Sequence, residues 1–466
     1  MKKGEVIEIF VDYNLYPNVG VGIVDGKRVR VKGALRGQRV RCRLSKKRGD
    51  RIEARLIDVA EPASDEQPSF CEHYEVCGGC MLQTFSAETQ LAHKVDMVNR
   101  LFENAGLESR VTEAIESPEV FEYRNKMEFS FGDMEKGGAM TLGMHRKGHH
   151  HDVVTVDHCH LVDADYRLIL ERTLDFFTAL EVPKYNKFSH GGILRHLVVR
   201  KAKATGEIMV ALSATTQHTE DGKSIDRYLA GFLEMLLGLE PELSGKLTSI
   251  MQIKNDGLGD VVAGETVVLH GRDYIEEMLS GLRFKITLYS FFQTNTLGAE
   301  KLYEAAIGRI SDFEGKVCFD LFSGTGTIGQ ILALNGASHV VGVELVEDAV
   351  RSARENAAFN GLSNCEFIAG DVFKVLSGMD EALLPDVIVL DPPRAGVGEN
   401  AVRKVASYGV EEIVYVSCNP KTLTEDLRIF EQLGYHAGDV TAVDMFPWAG
   451  HVEAIILMTR SGSSDR

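Results

Sequence analysis

Cys418 is the side chain best set for nucleophilic chemistry. It stands in Ser417-Cys418-Asn419-Pro420, after the apolar run EIVYV and before the helical pattern KTLTEDLRIF. That context predicts a thiol at a strand end beside a helix N-terminus, where the dipole favours thiolate over thiol. Most lone cysteines are buried and inert, but the flanking Asn-Pro argues against that fate here. Glu453, in His451-Val452-Glu453 ahead of the last apolar run, is the best-placed carboxylate to serve as a base.

A second group of residues suits a nucleotide-like ligand. Gly324, Gly326 and Gly329 form G-x-G-x-x-G between KVCFDLF and a predicted helix, so the backbone can approach a ligand at that helix N-terminus. Glu344 ends the next apolar run, 20 residues after Gly324, where a carboxylate accepts from ribose hydroxyls. Asp371 ends the third run, and Asp391 opens Asp391-Pro392-Pro393-Arg394 after the fourth. NAD and S-adenosylmethionine both fit such a crevice. The Asp-Pro-Pro turn favours the methyl donor, because it is rigid and its oxygens can face a planar base.

A thiolate beside a methyl donor has a specific use. Carbon 5 of uracil is a poor nucleophile. Addition of sulfur to carbon 6 makes an enolate with electron density at carbon 5, which can attack a methyl sulfonium. A base must then remove the carbon-5 proton so that the thiol can leave.

The elements that must position these groups follow from periodicity. From Phe313 onward, short apolar segments (KVCFDLF, HVVGVEL, CEFIAG, DVIVLD, EIVYVSC, EAIILMTR) alternate with helical stretches, which predicts a doubly wound parallel sheet. One helix is expected from Val346 to Asn360, with Val346, Ala349, Val350, Ala353 and Ala357 on one face and Gly361 as its stop. Residues 120–285 mix strand signals with helices around 163–180 and 225–238, which suggests an α+β domain. A helix is also expected through TQLAHKVDMVNRLFENAG. Residues 1–60 alternate with period two and carry a hairpin turn at Asp25-Gly26, which predicts about five strands closing into an oligonucleotide-binding (OB)-type barrel. EPASDEQPSF (61–70) reads as a linker. The expected domains are therefore 1–60, 61–285 and 286–466.

Charge separates the first of these from the rest. The chain has 466 residues and a net charge of -17, yet residues 1–60 hold 15 Lys/Arg against 7 Asp/Glu. A basic module on an acidic body is the footprint of local phosphate binding. The chain is 44% hydrophobic and 26% charged, as expected of a folded globular protein and not a disordered one. No apolar run reaches the ~18 residues of a membrane span, and MKKGEVIEIF lacks a signal-peptide core. A cytoplasmic location is expected, with no membrane and no obligate protein partner.

Cys71, Cys77 and Cys80 place three thiols on one short loop, and Cys159 could complete four ligands. Four thiolates suit zinc or an iron–sulfur cluster, and spacing alone does not choose. His145, His149, His150, His151, His158 and His160 read as a polar hairpin beside Cys159. Cys42, Cys318 and Cys365 read as packing residues.

Together, FDLFSGTGTIG (319–329), GVE (342–344), LDPPRAG (390–396), VSCNP (416–420), HVE (451–453) and the upstream SFFQTN (290–295) resemble the RNA uracil-C5 methyltransferase family over essentially the whole chain. The basic barrel resembles a TRAM domain. The resemblance implies a Rossmann-like class I methyltransferase domain using S-adenosylmethionine, with Cys418 as nucleophile and Glu453 as proton-abstracting base. It implies Gln293, Phe322, Glu344 and Asp391 as donor-binding residues, Asp391 also touching the target base. It further implies a 4Fe-4S cluster on Cys71, Cys77, Cys80 and Cys159, as in the ribosomal-RNA branch, with a structural or RNA-contacting role. The expected partner is RNA, 23S ribosomal RNA first and transfer RNA second. Competing readings are methylation of a ring or exocyclic nitrogen, which needs no thiolate, and a non-catalytic RNA-binding factor. One departure stands out: the family has a Thr after Phe-Pro and before His-Val-Glu, whereas this chain reads Phe446-Pro447-Trp448-Ala449-Gly450-His451 and lacks that hydroxyl.

Overall fold

The computed structural model describes residues 2–48, 51–149, 151–219, 222–379 and 384–460; His150 lies outside them. Strands β1 (Val6–Phe10), β2 (Tyr13–Leu15), β3 (Val19–Val24), β4 (Lys27–Lys32), β5 (Arg39–Arg48) and β6 (Arg51–Glu61) form one sheet in the order β1-β5-β6-β4-β3-β2. Alternation turns Ile9, Val29, Val31, Val40, Cys42 and Leu44 into a shared core and leaves basic side chains outside. The sheet rolls so that β1 meets β3, the Asp12 N–H donating to the Val21 carbonyl at 2.8 Å. The strand beyond the expected five is β2, which is too short for alternation to reveal it.

Helix α1 (Ala87–Ala105) starts where the Ser86 hydroxyl accepts from the Thr89 N–H at 3.1 Å, and ends at Gly106 with φ 76°. It is followed by β7 (Val111–Ile115). The central sheet contains β8 (Lys126–Gly132), β9 (Thr141–His145), β10 (Val153–Thr155), β11 (Leu194–Lys201), β12 (Glu207–Ala214), β13 (Lys246–Lys254) and β14 (Glu265–Gly271), ordered β10-β9-β8-β11-β12-β13-β14. Helices α2 (Ala164–Ala179) and α3 (Asp226–Gly238) pack on it through Tyr166, Phe177 and Phe232. A hairpin, β15 (Tyr274–Leu279) and β16 (Leu282–Thr287), follows. The sequence did not announce β14–β16. β14 is almost wholly exposed, and β15 buries Glu277 on its inward face, which breaks the apolar alternation.

The last sheet joins β17 (Val317–Leu321), β18 (His339–Glu344), β19 (Cys365–Ala369), β20 (Val387–Leu390), β21 (Glu412–Ser417), β22 (Tyr435–Val443) and β23 (Glu453–Arg460) with β7, in the order β19-β18-β17-β20-β21-β23-β22-β7. Around it run α4 (Thr296–Ile307), α5 (Thr327–Leu334), α6 (Glu347–Phe359), α7 (Val372–Gly378), α8 (Glu399–Ser407) and α9 (Pro420–Gln432). Strands β17 to β21 are parallel, but β23 runs antiparallel to β21, and β22 antiparallel to β23. The sheet is therefore mixed, not wholly parallel. α1 packs on it through Val98 and Phe102, so α1 and β7 join this layer although they precede the central sheet in sequence. Strand order reverses direction at β17, between β18 and β20, which opens a crevice at the C-terminal strand ends. Among the described residues, no helix is long and apolar enough to cross a membrane.

Candidate active site

A cavity of about 1330 Å³ occupies this crevice. That exceeds the ~300–1,000 Å³ of an ordinary small-molecule site, leaving room for two ligands side by side. Cys418, Glu453, Gln293, Phe322, Gly324, Glu344, Asp371 and Asp391 all line it. Gly326 does not. It begins α5 with φ 76°, and a Cβ there would stand 2.6 Å from the Phe367 ring, so packing explains this glycine.

The loop geometry on the glycine-rich side is set by carboxylates. Glu344, at the end of β18, accepts from the Gly324 N–H at 3.0 Å and the Val346 N–H at 2.9 Å. It thereby ties two cavity-lining loops together. Asp371 caps α7 by accepting from the Lys374 N–H at 3.1 Å. Val346, expected on the packed face of α6, is instead exposed and lines the cavity with Ala349, while Val350, Ala353 and Ala357 pack. Asp320, which sequence reasoning missed, is fully buried. It accepts from the Gly329 N–H at 2.7 Å, and its other oxygen has no partner. Burial, with Glu344 adding, pushes its carboxyl up to about 7. Its only sequence signal was a charge inside an apolar strand. Gln293 shares the cavity wall with the buried Tyr303, another residue the sequence did not single out.

The antiparallel β23 explains why Cys418 and Glu453 meet. Ser417 pairs with Ala454, so the next residues outward on the two strands are Cys418 and Glu453. Burial, then Glu453 and Asp391, push the Cys418 thiol up to about 12, with Arg394 opposing. This reverses the sequence expectation of a thiolate. Desolvation, with two neighbouring carboxylates adding, outweighs a helix N-terminus. Burial raises Glu453 to about 8, Asp391 adding and Arg394 opposing, and burial raises Asp391 to about 7. A carboxylate poised near neutrality can take or give a proton at working pH.

His451, also on the cavity wall, is held below its ordinary value by burial and by Arg394 and Lys94. The divergent loop packs in a particular way. Trp448 is 3% exposed and sits among Phe70, Tyr123, Cys80 and Leu161. Its carbonyl accepts from the Met81 and Leu82 N–H groups, and its indole N–H donates to the Val120 carbonyl. Ala449 lines the cavity.

The four cysteines Cys71, Cys77, Cys80 and Cys159 come together beside this loop. Cys80 is raised to about 12 and Cys159 to about 11, chiefly by burial, with the neighbouring thiols adding. The Gly79 N–H donates to Cys77 Sγ at 3.4 Å, and the Gly78 N–H to the His145 carbonyl at 2.9 Å. None of the cysteines is in a disulfide. Among the described residues, one set of three His, Cys, Asp or Glu ligand atoms lies within 4.8 Å, and it is His73, Asp157 and His158, not the thiols. Of the other histidines, His145 pairs with Asp260, His149 with Asp152, and His151 and His160 pack on aromatic rings. Cys42 and Cys318 are fully buried, and Cys365 packs on the core edge.

Residues 261–461 match the family model described as tRNA (uracil-5-)-methyltransferase. An uncharacterized RNA methyltransferase of Clostridium acetobutylicum is 46% identical over 462 residues, covering 99% of each chain. One from Caldanaerobacter subterraneus is 42% identical over 465 residues, covering 99% of this chain and all of that one. The crystal structure of the Pyrococcus abyssi tRNA (uracil-54, C5)-methyltransferase in complex with S-adenosyl-L-homocysteine superposes with a TM-score of 0.74 at 25% identity, over 97% of this chain and 100% of that one.

Proposed function

The chain belongs to the RNA uracil-C5 methyltransferase family and is an S-adenosylmethionine-dependent RNA methyltransferase; from that premise we propose that it methylates carbon 5 of a uridine through a covalent bond between Cys418 and carbon 6. The observation that carries this is the pairing of Cys418 with Glu453 at adjacent strand ends, on the wall of a cavity also lined by Glu344 and Gly324.

S-adenosylmethionine supplies the electrophilic methyl group. Gln293, Phe322, Glu344, Asp371 and Asp391 hold the donor, with the Gly324 turn giving the backbone close approach. The exposed Val346 offers an apolar surface for its base. The Cys418 proton passes to the Asp391–Glu453 carboxylate pair and out to solvent, and the sulfur adds to carbon 6. Carbon 5 takes the methyl group. Glu453 then removes the carbon-5 proton, the sulfur–carbon bond breaks to release a thiolate, and the proton held by Glu453 returns to it to restore the thiol. Addition to the ring face requires the base to leave its stack, so a structured RNA loop is the expected target. Large-subunit ribosomal RNA is the first reading, on the cysteine set and the basic barrel. Transfer RNA is the second, favoured by the likeness to the archaeal enzyme.

The four thiols fit a thiolate-bound group, being near enough to raise one another electrostatically, buried at Cys80 and partly buried at Cys71, Cys77 and Cys159, and free of disulfides. A 4Fe-4S cluster bound there would cross-link the 71–80 loop to Cys159. Four thiolates also suit tetrahedral zinc, and metal content decides between the two. Protein purified without oxygen should carry iron and sulfide in near-equal amounts; stoichiometric zinc without iron contradicts the assignment.

The functional test is methylation of total RNA by pure protein with labelled donor, followed by nucleoside analysis. 5-Methyluridine is expected, and Cys418→Ala should abolish it while donor binding persists. A methylated ring or exocyclic nitrogen, or activity retained by Cys418→Ala, contradicts the proposal.

A further inference from the structure

The hairpin between β2 and β3 carries Tyr16 out of the N-terminal sheet and into the catalytic wall. Its phenol oxygen lies 3.2 Å from His451 Nδ1 and 3.4 Å from the Cys418 carbonyl oxygen. The two rings meet edge to face, with centroids 6.1 Å apart. The tip is pinned from several sides. Asn14 donates to Asn18 Oδ1 at 2.7 Å, and His93 of α1 lies 3.4 Å from the same oxygen. Arg100 of α1 lies over the Tyr13 ring, 4.7 Å from its centre. Gly450 leaves room for the Pro17 carbonyl, which a Cβ would approach to 2.4 Å. Tyr16 is thus built into the site.

The directions of these hydrogen bonds follow from which groups can only accept. A carbonyl oxygen has no proton to give, so the Tyr16 hydroxyl donates to Cys418. The phenol hydrogen is then spent, and contact with His451 requires Nδ1–H to donate to the phenol oxygen. The single proton of a neutral imidazole is then on Nδ1, leaving a lone pair on Nε2. We infer that Tyr16 is a positioning residue of the methylation site: through His451 Nδ1–H to Tyr16 Oη, and Tyr16 O–H to the Cys418 carbonyl, it fixes the backbone of the reacting cysteine and presents the His451 Nε2 lone pair to an N–H of the target base. Burial keeps both partners in the required state. It raises the phenol far above its ordinary value, Glu453 and Cys418 adding, and it lowers the imidazole. Uracil carries a ring N–H that such a lone pair can accept, which ties the inference to the function proposed above.

Tyr16→Phe in the full-length protein removes the hydroxyl and keeps the ring. Long-range nitrogen–proton NMR on histidine-labelled protein, with His451→Gln to assign the signals, reads the tautomer without RNA. The wild type should show His451 protonated at Nδ1, and Tyr16→Phe should shift the proton towards Nε2. In methyl transfer, Tyr16→Phe should lower kcat at least tenfold with donor affinity unchanged. A wild-type His451 protonated at Nε2, or a Tyr16→Phe variant with wild-type kcat, overturns the inference. If wild-type protein makes no 5-methyluridine, the functional reading fails by itself, and the NMR result still decides whether the relay exists.

Discussion

Cys418 and Glu453 show how far residue types carry an argument and where environment takes over. Their pairing could be read from motif and strand ends, but their protonation could not. The helix N-terminus next to Cys418 pointed to a thiolate, whereas burial, with Glu453 and Asp391 adding, holds it as a thiol. The same burial has a consequence for stability. Glu453 rises from its ordinary 4.5 to about 8 on folding. Between those values the folded protein holds a proton that the unfolded chain has released, so stability falls as pH rises through that window. Glu453→Gln removes this penalty. Its unfolding temperature should exceed that of the wild type at pH 9 and match it near pH 4.5; an equal difference at both pH values contradicts the assignment.

Among the elements, the loop between β22 and β23 decides the site. It turns the last strand back antiparallel, sets Glu453 opposite Cys418, and carries Trp448 against the cysteine loop. Its start is anchored by Lys94 of α1, fully buried, which donates to Asp444 at 2.7 Å and to the Phe446 carbonyl at 3.0 Å. Lys94→Met leaves a buried carboxylate unpaired and should cost about 3–5 kcal/mol. Adding Asp444→Asn should recover part of that loss in urea unfolding; a single variant as stable as the wild type contradicts the anchor. Six of the strands in this sheet were legible as apolar runs. β22 was not, because Gly438 and Asp439 interrupt its alternation at the point where its register with β23 shifts. β7 was not assigned to this sheet, because its pairing crosses more than 300 residues of chain.

At the scale of the whole molecule, the basic N-terminal sheet and the acidic remainder meet at the catalytic wall. Tyr16 and Cys418 are 402 positions apart, a contact no local pattern encodes. The outer face of that sheet also holds a recess of about 420 Å³ lined by Gly26, Arg28, Arg30 and Arg51. Arg30 is lowered by burial and by its two cationic neighbours, so an anion arriving there relieves repulsion. We expect an RNA phosphate to fill it. Arg28→Ala with Arg30→Ala should weaken RNA binding and flatten the slope of log affinity against log salt by roughly 0.7–0.9 for each phosphate no longer neutralised. An unchanged slope removes this recess from the RNA path.

The central claim is a transient bond between Cys418 Sγ and a pyrimidine carbon, and Glu453→Gln should arrest the reaction with that bond in place. Incubated with S-adenosylmethionine and RNA, then denatured and digested, this variant should yield a Cys418 peptide carrying one methylated uridine nucleotide by mass spectrometry. Full conversion of RNA to 5-methyluridine by Cys418→Ala, with no such peptide from Glu453→Gln, would contradict it.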